Sequence, residues 1–158
     1  METKSFEQIL TEDGVLYWKN VGSSMQPLIR EGKDIIKIIK KNPSQRCKKY
    51  DAVLFKRPGI KGRGEYVLHR ILKVKNDGTY YIAGDNCYKG EIVSEENIIG
   101  ILTAVIRDNR TLTTQDASYK IYVRLWCDFY YLRFFIIRIK SIILNKLYRI
   151  YSKFKRKR

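Results

Sequence analysis

Histidine, cysteine and proline are scarce in this chain of 158 residues: it holds one, three and three of them. A single imidazole excludes histidine-rich metal centres. The cysteines, Cys47, Cys87 and Cys127, are odd in number and far apart, with no Cys-x-x-Cys pair, so neither a disulfide framework nor a zinc site is expected. They read as reduced thiols, and the sequence calls for no metal and no cofactor. The first 30 residues contain no apolar run long enough for a signal peptide or a spanning helix, so no N-terminal export or anchoring is expected. Acidic residues nearly vanish toward the other end. Residues 120–158 carry twelve basic side chains against one acidic, Asp128, whereas residues 1–119 carry 20 against 15. Most of the net charge of +16 therefore belongs to the tail. Such a tail is attracted to anionic lipid or nucleic acid and says nothing about the chemistry of the rest.

What the chain does have is enough length for one domain with a real core plus an appendage. A short amphipathic helix is expected over residues 4–11, with Phe6, Ile9 and Leu10 on one side. Runs rich in β-formers follow at 15–21, 34–39, 52–56, 65–75, 79–83 and 98–106, separated by Gly, Pro, Asn and Asp, which predicts a mainly antiparallel β domain. Asn76-Asp77-Gly78 marks a tight hairpin, since Asn and Gly tolerate the positive φ that such turns need. The basic, glycine-rich stretch from Arg57 through Gly64 lacks the Lys-Ser/Thr ending of a phosphate loop and reads as a hairpin tip.

From Tyr119 onward the chain has no Gly or Pro and is dominated by Tyr, Phe, Ile, Leu, Arg and Lys, which predicts one helix or two. The apolar stretch 121–144 contains Arg124, Asp128, Arg133, Arg138 and Lys140, each costly at a bilayer centre, so a clean span is not expected. At about 100° per residue, Arg124, Asp128, Arg138, Lys146, Arg149 and Lys153 fall on one side and Arg133 and Lys140 opposite, an imperfect amphipathic helix. Aromatics and a Lys/Arg-rich end suit a membrane interface, where long basic side chains reach lipid phosphates. An anionic membrane surface is the expected partner of the tail. Ordinary packing against the β domain is the alternative, and no nucleic-acid module accompanies the charge.

Three separated residues carry the chemistry. Ser24 lies in Gly22-Ser23-Ser24-Met25-Gln26-Pro27, a small-residue turn closed by proline that can present a hydroxyl on exposed backbone. A serine needs a base for its proton, and a histidine oriented by a carboxylate is suited to that work near neutral pH. His69 in Tyr66-Val67-Leu68-His69-Arg70-Ile71 and Asp85 in Gly84-Asp85-Asn86 are the candidates. Taken singly, each has an ordinary structural reading: a strand histidine, a turn serine and an Asx-turn aspartate.

The surrounding residues add a resemblance. Ser24-Met25-Gln26-Pro27, Tyr50-Asp51-Ala52-Val53-Leu54-Phe55, His69-Arg70-Ile71, Gly84-Asp85-Asn86 and Asn97-Ile98-Ile99-Gly100 occur in the order of the signal peptidase I family. The likeness spans about residues 15–107 and resembles the endoplasmic-reticulum and archaeal-like branch, which uses a histidine base. It implies a β-rich peptidase domain, placed at 1–118 ahead of the helical tail that the composition marks at 119–158. It further implies a serine endopeptidase acting on leader or signal-like segments of peptides or preproteins. Ser24 would be the nucleophile, His69 the base, and Met25 and Pro27 the residues shaping the turn and a small-residue substrate pocket. Asp85 is the first choice for the acid, and Glu91 the alternative, because the histidine branch often places a second acidic residue shortly after this box. Gly22 replaces the serine that many bacterial-type relatives use as an oxyanion donor. With the tail, the expected workplace is a membrane surface on the cytoplasmic side. Self-cleaving repressors have a similar fold but use a lysine base and a DNA-binding domain, neither found here at the expected place. A catalytically inactive peptide- or membrane-binding module with the same fold is the remaining alternative.

Overall fold

The computed structural model describes residues 4–57 and 65–155, with side chains described through Tyr148. The expected hairpin tip at 58–64 and the last residues of the basic tail lie outside the described residues. A short helix, α1 (Phe6–Glu12), opens the chain. Ser5 caps it with a reciprocal box: its hydroxyl accepts from Gln8 N–H, and the Gln8 side chain accepts from Ser5 N–H. Eight strands follow: β1 (Val15–Lys19), β2 (Ile35–Lys40), β3 (Ala52–Arg57), β4 (Glu65–Val74), β5 (Tyr80–Ala83), β6 (Glu91–Val93), β7 (Ile98–Arg107) and β8 (Arg110–Thr113). Two helices close the described chain, α2 (Ala117–Asp128) and α3 (Tyr130–Lys155).

All strands pair antiparallel in the order β1-β2-β7-β3-β4-β5-β6, with β8 added to β7. The mainly antiparallel β domain with a helical C-terminal part thus agrees with the sequence expectation. The expected turn at Asn76-Asp77-Gly78 is present, with Gly78 at φ +83° and Thr79 N–H donating to Asp77 Oδ1. The sequence reading did not include β6 and β8, which are only three and four residues long.

Alternation along the strands divides the apolar residues between two faces. Ala52, Leu54, Leu68, Leu72 and Ala83 belong to one cluster, which also takes in Met25, Ile29, Ile36 and Ile38. Val53, Phe55, Ile71, Tyr80 and Ile82 form the other. α1 seats Leu10 in the first cluster, close enough to Gly100 that a methyl there would meet the leucine at 3.2 Å.

The tail is two helices that break at Phe129, so a single helical phase does not apply to it. α2 belongs to the body: Tyr119, Val123 and Cys127 are buried in the first core cluster. Two of its three charges meet the body, with Asp128 held by Lys49 and Tyr50 and the Arg124 guanidinium over the Tyr50 ring. Among the described residues no helix is long and apolar enough to cross a membrane.

Candidate active site

Ser24 follows β1 in a turn tied down from both sides. Gly22, at φ +102°, has its carbonyl bonded by the Asn20 amide and its N–H bonded to Glu31 Oε1 at 2.9 Å. The Gly22 N–H is therefore committed and is no ready second donor to an oxyanion. On the far side the chain enters β2 through Asp34, whose fully buried carboxylate is gripped by Arg107 and Arg30. Arg107 also donates to the Leu28 carbonyl at 2.8 Å, which fixes the turn's exit.

The Gly84–Asn86 turn, just beyond β5, meets this serine turn. Asn86 N–H donates to the Ser24 carbonyl at 2.7 Å, and its side-chain amide donates to the Ser23 carbonyl at 3.2 Å. Gly84 is where three groups converge. A methyl there would meet the Ser24 carbonyl oxygen at 2.6 Å, Cys87 Sγ at 2.8 Å and His69 Nε2 at 3.0 Å. Only glycine fits such an approach. It also identifies Nε2 as the ring nitrogen on the serine side, although Ser24 and His69 share no hydrogen bond. Among the described residues, neither Ser24 Oγ nor Ser24 N–H has a hydrogen-bond partner.

The opposite ring nitrogen, His69 Nδ1, lies 3.2 Å from Glu91 Oε1. An ionised carboxylate only accepts, so Nδ1 carries the proton of the neutral ring and Nε2 keeps its lone pair. Burial pushes the His69 pKa below the usual histidine value, because a charged ring there loses hydration; Glu91 opposes the shift and Arg57 adds to it. The ring is thus a neutral base at ordinary pH. Phe55 stands beside it, ring centroids 6.1 Å apart.

Asp85, the first choice for the acid, is placed elsewhere. Its fully buried carboxylate forms a two-point pair with Arg70, at 2.9 Å from Nε and 2.8 Å from Nη2, and accepts from Tyr122 OH at 3.1 Å. Trp126 Nε1 donates to its carbonyl at 2.8 Å. The strand pattern explains the exchange. His69 and Arg70 are neighbours on β4 and so point to opposite faces. Arg70 pairs with Ala83, and Asp85 lies two residues beyond Ala83, on the Arg70 side. Glu91 pairs with Ile82, which pairs with Ile71, two residues from His69 and on its face.

Of the remaining expected site residues, Met25 is buried in the core, where it anchors the turn and has no free surface to offer a ligand, while Pro27 is exposed. The sequence reading did not select Arg57. Its signal was the same alternation, since Val53, Phe55 and Arg57 share a face of β3 and Val53 stands opposite His69. Among the described residues no cluster of His, Cys, Asp and Glu is suited to a metal ion. No protein-family model matches the chain, and no curated protein is similar to it in sequence.

Proposed function

We propose that this protein is a serine endopeptidase of the signal-peptidase type, cleaving leader or signal-like segments through an acyl-enzyme on Ser24. The observation that carries the reading is the orientation of His69, with Nδ1 on Glu91 and Nε2 turned to the Gly84 crossing against which the Ser24 backbone rests. Glu91, not Asp85, takes the acid's part. Ser24 Oγ attacks the peptide carbonyl carbon while its proton passes to His69 Nε2. The imidazolium, steadied by Glu91, then returns that proton to the leaving amine as the C–N bond breaks. Water attacks the resulting ester by the same route in reverse, releasing the new carboxylate and restoring the hydroxyl. Ser24 N–H, unclaimed among the described residues, is one donor for the developing oxyanion. The signal-peptidase-like character of the fold belongs to this proposal as well, supported by the order of the Ser24, His69 and Gly84 motifs on an antiparallel sheet. A fluorophosphonate probe tests it: Ser24 Oγ should attack its phosphorus and expel fluoride, leaving the wild-type protein labelled and Ser24→Ala unlabelled. A folded wild type that stays unlabelled leaves the inactive binding module as the reading.

We further propose that the peptidase works at an anionic membrane surface, held there by α3. Its face carrying Tyr130, Phe134 and Arg133 packs on the body. The opposite face presents Leu132, Phe135, Ile136, Ile139, Ile142 and Ile143, all 40% exposed or more, with Arg138, Lys140 and Lys146 beside or within the stripe. Spacing of three and four residues places these apolar groups in one line. α3 has no acidic residue, so a second copy laid against the stripe would bring like charges together, whereas anionic lipid complements both halves of the pattern.

A further inference from the structure

We propose that Arg57 is a positioning residue, the group that holds the Glu91 carboxylate in the one orientation from which it can orient His69. The proposal rests on the acyl-enzyme reading of Ser24 and His69. Glu91 is reached from two sides. Arg57 Nε donates to Oε2 at 2.9 Å and Nη2 to Oε1 at 2.5 Å, a two-point grip, while His69 Nδ1 stands 3.2 Å from the same Oε1. On its outer side Arg57 Nη1 reaches Glu65 Oε2 at 3.3 Å, and the guanidinium lies 6.0 Å from the centre of the Phe55 ring that also flanks His69. A line of alternating charge therefore runs from Glu65 through Arg57 and Glu91 to the imidazole.

The physical need for such a grip is specific to glutamate. Its carboxylate hangs on one more rotatable bond than an aspartate's, and Glu91 opens a three-residue strand at the sheet's end, with its side chain partly open to water. Left alone it would sample several rotamers, few of which reach Nδ1. A planar guanidinium fixes the carboxylate plane as well as its position, which a point charge cannot do. Arg57 is delivered to this place by register: it ends β3 opposite Glu65 and on the His69 face, two residues past Phe55.

His69 is the only histidine, so nitrogen-15 spectra of the ring in the full-length protein give one pair of signals with no assignment problem. In the wild type, above the ring's pKa, the proton should reside on Nδ1. Arg57→Gln and Glu91→Gln should each mix the two tautomers, and Arg57→Gln should slow fluorophosphonate acylation of Ser24 by about 10- to 100-fold, the order of effect seen when a partner that orients an imidazole ligand is removed. Arg57→Lys, which keeps charge but loses the fork, should fall between. If the tautomer in folded Arg57→Gln equals the wild type, or if an acylating wild type and Arg57→Gln react at equal rates, the positioning role is overturned. A wild type that is never acylated, yet whose tautomer shifts in Arg57→Gln, would sink the peptidase reading while leaving Arg57 as the orienting group.

Discussion

His69 and Arg70 stand side by side on β4 and are committed to different work. The imidazole serves the face that holds Glu91 and Arg57, and the guanidinium serves the core beneath α2. Replacing each partner should therefore fail in a different way. His69→Ala should lower Ser24 acylation about 10²- to 10⁴-fold in protein that remains folded, the range a general base commands. Glu91→Gln should lower acylation while the protein stays folded. Asp85→Asn should act chiefly on stability, because it leaves the buried Arg70 charge without its counter-ion, a loss of about 3–5 kcal/mol by chemical denaturation. Equal loss of acylation with unchanged stability in both acid variants would return Asp85 to the catalytic role. Burial alone would depress the ionisation of Arg70, and the charge of Asp85 overcomes it, holding the guanidinium charged throughout.

Among the elements, α2 and α3 divide what the sequence presents as one tail. α2 closes the core, and its Tyr122 and Trp126 clasp Asp85, so that it braces the turn carrying Gly84 and Asn86. α3 departs from the body with its apolar stripe uncovered. Co-sedimentation with vesicles containing phosphatidylglycerol or phosphatidylserine should be strong at low salt, fall as salt rises and fall again in Phe135→Ser/Ile139→Ser. Binding that is indifferent to salt and to that pair, or a dimer in sedimentation equilibrium that the pair abolishes, would contradict lipid as the occupant. Because α2 anchors the site, α3 should be removable after Phe134 with the labelling of Ser24 retained.

For the molecule as a whole, pH dependence follows from the single buried imidazole. Its pKa lies below the ordinary histidine value, so on the proposed mechanism acylation of Ser24 should proceed above that depressed value and be lost as pH falls through it. The stability effect has the same sign. The unfolded chain takes up this proton at about pH 6.5, before the folded one does, so stability declines as pH falls from there to the folded pKa. A pH–rate profile of acylation with its acid limb above about 6.5 would contradict the assignment of His69 as a buried base. The β class, the N-terminal helix, the Asn76-Asp77-Gly78 turn and the charged tail were all legible in the sequence, because alternation, capping and turn chemistry act within a few residues. The residues around Ser24 and His69 marked them as candidates, and the fold brings the Ser24 backbone and the His69 ring to the same Gly84 crossing. Which of Asp85 and Glu91 meets His69 was not legible. It depends on which face of the sheet each carboxylate reaches, and that is set by the pairing of β4 with β5 and of β5 with β6, contacts between segments distant in sequence. Arg57 was hidden for the same reason, and so was the break at Phe129 that gives α2 to the core and leaves α3 exposed. Local chemistry determined which groups this chain owns, and only the tertiary register decided which of them meet.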